Sequence, residues 1–522
     1  MLEIRVKRFR LFFSTAALAG LLAWSCTRAP GFNTAEAAQI APAAPVSTPQ
    51  ILSSHEQLRR SGEWLVDDEG RVVILHGVNA VWKHAPYVAP DSVEGFTAAD
   101  ADWLAGHGFN AVRLGVLFAG VMPQPHVIDT AYLDRIDRVV QLLASRGIYV
   151  LLDFHQDLYN ERYQGEGFPA WATQPSRFDG TAHAGFPMNY FTPPVNQDFD
   201  RFWDNIDALQ DDYRAAWVAV AARWKNQDHL MGYDLLNEPW PGDSWTHCAR
   251  PQGCSNFESG KLQALYEHVL AGIRSVDADN PVWLEPQILF DFGAGSHLGE
   301  RAIGDNQLGL SWHNYCLPET LLQAHGLRKL PACAPLEQRV FSNARATSQR
   351  LGAASLLSEF GASDDTLDIA RITDYADANM TGWMTWSYKN WGDPTTQAQG
   401  NGAQSMFRSD TDFASVKKPK LEVLERPYPQ AVAGTPQRYA YDAASGSFTL
   451  SYSTRMAGGA VAPAGLPTDI YVPALHYPQG YKVQVSGGQA LSAANAAHLL
   501  IGADPGATTV TVTVSPVQQS AI

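Results

Sequence analysis

From residue 72 onward, short apolar runs alternate with longer stretches whose apolar residues recur at helical spacing. The runs at 72–78, 111–116, 149–154, 231–237, 281–286, 308–315, 355–359 and 382–388 read as strands buried on both faces. Between them, 131–145, 213–225, 261–276, 338–351 and 367–379 carry the pattern of helices with one apolar face. Eight buried strands separated by helices predict an α/β chain folded as a closed parallel (β/α)8 barrel. The fifth repeat is the weakest, because no helical pattern follows Pro286.

Past Pro429 the apolar period shortens to two. Segments 447–452, 468–472, 481–485 and 508–514 alternate apolar and polar residues between Gly, Pro and Asp, which predicts a small C-terminal β-sandwich. The expected organisation is a flexible Ala- and Pro-rich lead-in over 38–55, a barrel over 56–432 and a sandwich over 433–522. One stretch, 155–212, is too long for an ordinary barrel loop. It holds Tyr159, Phe168, Trp171 and Phe186 among other aromatics, so it is expected to form a wall or lid over one end of the barrel. Phe168, Trp171 and Phe186 either face that opening or form the insertion's own small core.

The N-terminus changes the setting. Arg5, Lys7, Arg8 and Arg10 precede an apolar run over 11–23, and Ala35-Glu36-Ala37 offers small residues around a cleavage point, so residues 1–37 read as a secretory signal peptide. Cys26, closing the apolar run, gives lipid attachment as the alternative. The whole chain carries a formal charge of −15, and loss of residues 1–37 brings it to about −18. That acidity excludes nucleic acid and anionic membranes as partners, while neutral sugars, neutral lipids and transient contact with a lipid surface stay open. In an exported chain the four remaining cysteines are expected to close two local loops, Cys248–Cys254 and Cys316–Cys333. A zinc site using His247 and His313 is the competing reading, but the Cys spacings match no usual ligand pattern, and neither metal nor organic cofactor is expected.

Polar residues recur where the predicted strands end, the rim on which barrel enzymes build their sites. Asn79 follows the first strand, Arg113 interrupts the second, and His155-Gln156-Asp157 follows the third. Asn237-Glu238-Pro239-Trp240 ends the fourth, His313-Asn314-Tyr315 the sixth, Glu359-Phe360-Gly361 the seventh, and Trp386 the eighth. His76 lies inside an apolar strand and is read as a core residue. Strands four and seven of a closed barrel deliver Glu238 and Glu359 to one pocket. Two carboxyls so placed suit glycoside cleavage, one held protonated to donate to the leaving oxygen and the other ionised to attack the anomeric carbon. Arg113 and Tyr315 are the groups that could keep a nucleophilic carboxylate ionised.

These residues make a recognisable pattern. Leu235-Leu236-Asn237-Glu238-Pro239, with Ser358-Glu359-Phe360-Gly361, resembles glycoside hydrolase family 5, with Arg113, His313, Tyr315 and Trp386 at that family's supporting positions. The resemblance covers about residues 60–425 and implies Glu238 as acid/base and Glu359 as nucleophile of a retaining mechanism. Leu75-His76-Gly77-Val78-Asn79 running on to Lys83, Asp153-Phe154-His155-Gln156-Asp157, the insertion through Gly165-Glu166-Gly167-Phe168, and Trp386-Ser387-Tyr388-Lys389-Asn390-Trp391 are similar to the endoglycoceramidase branch. That branch implies a glycosphingolipid substrate, with Lys83, His155, Asp157, Asn237 and Trp386 lining the sugar subsites and Gln287 and Trp391 as further candidates. The rival expectations are an endo-glycanase on soluble β-glucan or mannan, a glucosylceramide-type lipid glycosidase, and a non-catalytic glycan- or lipid-binding protein.

Overall fold

The computed structural model describes residues 57–316, 333–395 and 402–517. The expected signal peptide, most of the lead-in and Cys26 lie outside the described residues. The first three strands, β1 (Arg59–Ser61), β2 (Trp64–Val66) and β3 (Val72–Val73), are short. Eight strands then close a parallel barrel in chain order: β4 (His76–Ala80), β5 (Ala111–Val116), β6 (Tyr149–Phe154), β7 (Leu230–Asp234), β8 (Val282–Leu284), β9 (Leu308–Asn314), β10 (Ala354–Phe360) and β11 (Gly382–Thr385). Every residue of β5, β6, β7 and β9 is buried, as strands covered by helices outside and by side chains inside must be. The fifth repeat has no long helix; β8 is followed by a single 3-10 segment, Ile288–Phe292.

The C-terminal strands β12 (Tyr428–Val432), β13 (Thr435–Asp442), β14 (Ser447–Ser453), β15 (Thr468–Tyr471), β16 (Tyr481–Ser486), β17 (Gly488–Ala490), β18 (His498–Ala503) and β19 (Thr509–Pro516) form two sheets. One is four-stranded, β13-β14-β19-β16, and the other seven-stranded, β1-β2-β3-β12-β15-β18-β17. Inner-face residues of both, including Tyr439, Phe448, Val512, Ile470 and Ile501, share one apolar core.

Here the expected boundaries need correction. The run at 72–78 is not one barrel strand: Val72 and Val73 pair with Val432 and Ala431 in the sandwich, and the barrel strand begins at His76. Consequently one sheet of the sandwich joins strands within residues 59–73 to strands from Tyr428 onward, so the boundary expected at 433 runs through a sheet. No turn residue marks the crossing, because the backbone stays extended while its hydrogen-bond partner changes from Gln430 at Ile74 N to Trp383 at Leu75 O.

The insertion at 155–212 packs largely on itself. Tyr159, Tyr163, Phe168 and Tyr190 are buried, with Phe168 stacked on Tyr159 at 4.0 Å and Trp171 donating its indole N–H to Met122 O at 3.0 Å. Of the two readings for Phe168, the internal core is the one observed. Both expected disulfides, Cys248–Cys254 and Cys316–Cys333, are present.

Candidate active site

Inside the barrel the β5 side chain Arg113 is completely buried. Its guanidinium meets Asp234 at 2.8 Å, Glu285 at 2.8 Å, Asp153 at 3.0 Å and Glu359 at 2.6 Å, and it also donates to the side-chain oxygens of Asn79 and Asn237. A guanidinium has five N–H donors in a fixed plane, so this one centre fixes the directions of six side chains from different strands. The carboxylates outweigh the cost of burying the charge and hold Arg113 firmly protonated.

Glu359, one of those carboxylates, and Glu238, which Arg113 does not contact, are supported differently. Glu359, at the end of β10, accepts from Arg113 at one oxygen and from the Tyr315 hydroxyl at the other, 3.0 Å away. Glu238 follows β7 with φ of 45°, a left-handed conformation uncommon for a residue with a side chain, between Asn237 and the helix-disfavouring Pro239. The Glu285 carboxylate accepts the Glu238 backbone N–H at 2.7 Å, and Gln156 Nε2 donates to the backbone carbonyls of Asn237 and Glu238, which together hold that conformation. Burial, helped by the negative Glu359 and Asp157, pushes the Glu238 carboxyl up to about 7.

His313 joins the pair. Its Nδ1 lies 2.9 Å from Glu238 Oε1 and 3.6 Å from Glu359 Oε2, while Nε2 is 3.3 Å from Glu285. Burial opposes charge on this ring, but Glu285 and Glu359 overcome it and raise its pKa well above the ordinary histidine value. The two distances from Nδ1 together bound the gap between the nearest oxygens of Glu238 and Glu359. That bound reaches only the lower edge of the ~6.5–9.5 Å needed to seat a water between two carboxyls.

A second polar group adjoins the first. Lys83 bonds Asp157 and lies 3.4 Å from Glu166 and 3.5 Å from Asp393, with its ammonium 4.6 Å from the Trp386 ring centre. His155 stacks against Trp386 at 5.2 Å and binds Asp153 at 2.8 Å, linking this group to Arg113. Burial opposes its protonation, but Asp153 raises the ring to about 10. Glu166 enters by a single bridge between Asp157 and Glu166. Flanking glycines permit it: a Cβ on Gly165 would meet Asp157 O at 2.0 Å, and one on Gly167, at φ of 118°, would meet Gln156 Cβ at 2.3 Å.

Two clusters have metal-ligand types, His155-Asp157-Glu166 and Glu238-Asp291-His313, each with ligand atoms within 4.8 Å of one another. In the first, the Lys83 ammonium already neutralises the carboxylates.

Of the residues expected from sequence, Lys83, Arg113, His155, Asp157, Asn237, Glu238, His313, Tyr315, Glu359 and Trp386 are brought together. The Asn237 amide is engaged by Arg113 and by Gln156 O, which leaves one N–H for a ligand. Gln287 is fully buried; its side-chain oxygen caps the turn Ile288–Phe292 by accepting from Leu289 N, and its Nε2 has no hydrogen-bond partner among the described residues. Trp391 packs beside Trp82 with centroids 5.7 Å apart. His76 is sandwiched between Trp383 and Tyr428 at 4.2 and 3.6 Å, away from the site. Asp153, Gln156 and Glu166 stood in the quoted motifs without a role of their own, and Asp234, Glu285, Asp291 and Asp393 escaped sequence reasoning. Glu285-Pro286 did carry a signal, because it repeats the Glu-Pro of Glu238-Pro239 at the end of the next strand.

Residues 66–392 match the model described as cellulase (glycosyl hydrolase family 5), and residues 426–514 match the glycoside hydrolase family 5 C-terminal domain. Endoglycoceramidase I of Rhodococcus hoagii is 36% identical over 469 residues, covering 89% of this chain and 87% of that protein. An endoglycoceramidase of Hydra vulgaris is 28% identical, covering 81% of each. Among solved structures, endo-glycoceramidase II from a Rhodococcus species, in a ganglioside GM3 complex, superposes with a TM-score of 0.70 at 28% identity, covering 88% of this chain and all of that one.

Proposed function

The chain belongs to glycoside hydrolase family 5, and we propose that it is a retaining β-glycosidase that separates the oligosaccharide of a glycosphingolipid from its ceramide. The reading is carried by the two carboxyls that share His313 Nδ1 at 2.9 and 3.6 Å yet differ in their remaining partners. In this mechanism ionised Glu359, oriented by Arg113 and Tyr315, attacks the anomeric carbon. Glu238 gives its proton to the departing ceramide oxygen, so a glycosyl ester forms on Glu359 as the glycosidic bond breaks. Ionised Glu238 then takes a proton from water, whose oxygen attacks the same carbon from the opposite face and releases the sugar with Glu359 restored. Lys83, Asp157, His155 and Asn237 offer charge and hydrogen bonds to sugar hydroxyls, and Trp386 offers a flat face to a pyranose ring.

The ceramide leaving group rests on the relatives, which bear the name endoglycoceramidase across most of their length and of this chain. Incubation with lactosylceramide, gangliosides, soluble β-glucan and mannan, with products identified by mass, tests it. Intact glycan and free ceramide are expected; release only of soluble oligosaccharides from a polymer would refute the lipid assignment. We also propose export of the chain, supported by the basic and apolar start and by the two disulfides. Its test is N-terminal sequencing of secreted material, which should begin near Ala38.

A further inference from the structure

Asp291 is a polar residue beside the reacting pair that the mechanism above does not use. It lies on the 3-10 segment Ile288–Phe292, which is tied to the acid/base by the bond from Ile288 N to Pro239 O and to the nucleophile's tyrosine by that from Tyr315 N to Asp291 O. An Asp291 carboxyl oxygen lies within 4.8 Å of both a Glu238 carboxyl oxygen and a His313 ring nitrogen. The residue is 4% exposed and its carboxyl accepts no hydrogen bond from the described residues.

This treatment is unlike that of the other interior acids. Asp153, Asp234 and Glu285 are ion-paired to Arg113, and Asp157 to Lys83. Among the described residues no lysine or arginine is paired with Asp291, and its neighbours within 4.8 Å are the His313 ring and the group that protonates the leaving oxygen. Burial, opposed by the His313 ring and reinforced by the neighbouring Glu238, Glu285 and Glu359, raises its pKa well above the ordinary carboxylate range, which favours the protonated form. A carboxyl with no protein hydrogen bond on the wall of a buried site is available to a ligand. It offers one O–H donor and acceptor oxygens.

The glycosidic oxygen must sit within hydrogen-bond reach, ~2.6–3.2 Å, of Glu238. Lys83, Asp157 and Trp386, the sugar-binding group, follow β4, β6 and β11, whereas Asp291 follows β8, on the other side of β7 and Glu238 in the barrel order; a group there, less than 5 Å from the Glu238 carboxyl, faces atoms one to three bonds beyond the glycosidic oxygen, on the leaving-group side. In a ceramide those positions carry an amide and a hydroxyl. Resting on the proposed function above, we infer that Asp291 is a specificity-determining residue for the departing alcohol, donating its carboxyl proton as a hydrogen bond to a polar oxygen next to the glycosidic one.

The test compares two lactosides, lactosylceramide and 4-nitrophenyl lactoside, whose aryl leaving group has no polar oxygen near the glycosidic one. Asp291→Leu is expected to lose at least about tenfold more kcat/KM on lactosylceramide than on the aryl lactoside, the discrimination of about one buried hydrogen bond. Asp291→Asn retains shape and a donor, and should recover most of the loss. The aryl rate reports folding in each variant, and Asp291→Ser replaces the leucine variant if that one does not accumulate. Equal losses on both substrates, or no loss on either, would overturn the inference while leaving the proposed function intact. A wild-type chain that cleaves the aryl lactoside but not lactosylceramide would instead overturn the reading beneath it, and the inference with it.

Discussion

At the scale of single residues, two glutamates acquire different tasks from what surrounds them. Glu359 receives a guanidinium and a phenol, whereas Glu238 sits where burial disfavours its charge. Because Glu238 must enter the first step protonated, kcat/KM is expected to fall as pH rises through about 7. His313 holds that carboxyl lower than burial alone would, so His313→Gln should move the basic limb of the pH profile upward while reducing its height. Tyr315→Phe should lower kcat roughly 10- to 100-fold through loss of the hydrogen bond to Glu359, with a smaller change in KM. Glu238 and Glu359 were legible because each stands in a distinctive run, Asn-Glu-Pro and Ser-Glu-Phe-Gly. Asp234 was not, since a lone acid in an apolar strand carries no local mark and its partner Arg113 is distant in sequence.

At the scale of elements, strand ends deliver the chemistry and loops hold it in register. Buried Lys420 donates to Gln404 O at 2.8 Å and Ala403 O at 3.1 Å, and Gln404 in turn accepts the Trp386 indole N–H at 3.2 Å and donates to Asp393. A lysine far from the substrate therefore positions both the stacking tryptophan and a carboxylate beside Lys83. Lys420→Met is expected to raise KM for a lactoside roughly threefold to tenfold with less effect on kcat, the cost of losing one or two positioning hydrogen bonds. Steady-state kinetics on the aryl substrate checks that division. Strand existence was readable from apolar runs, but the split at residues 72–78 was not, because period and composition are unchanged where the backbone leaves one sheet for another. Likewise the aromatic insertion was recognisable as a folded unit, yet composition could not tell that Phe168 turns inward while Glu166 reaches Lys83.

At the scale of the whole molecule, barrel and sandwich are interdependent. The strands at 59–73 belong to the C-terminal sheet, Tyr428 stacks on His76, and Arg426 pairs with Asp374 and Asp377 on the helix Thr366–Ala378. A chain ending at residue 425 would expose the barrel end and leave Asp377 buried without its cation, so it is expected to give no soluble, cooperatively unfolding protein. A stable, active truncated barrel would contradict that interdependence. The pH dependence of stability follows from the buried acids. Burial raises Glu238 and Glu258 to about 7, so the folded chain holds protons that the unfolded chain has released above about 4. Stability is therefore lost as pH rises from about 5 to 8, and the raised His155 extends the decline toward its value of about 10. Glu285, lowered chiefly by His313 against the cost of burial, contributes stability that is lost on acidification below about 4. Thermal unfolding should thus show its highest Tm near pH 5 and a lower one at pH 8. All of these properties serve one arrangement, an attacking Glu359 opposite a proton-donating Glu238. The measurement that bears on it most directly is covalent trapping with a 2-deoxy-2-fluoro lactoside carrying an activated leaving group, followed by intact mass and peptide mapping. The account predicts one fluorolactosyl unit per chain, esterified to Glu359; a label on Glu238, or turnover with no trapped intermediate and early release of the α-anomer, would contradict it.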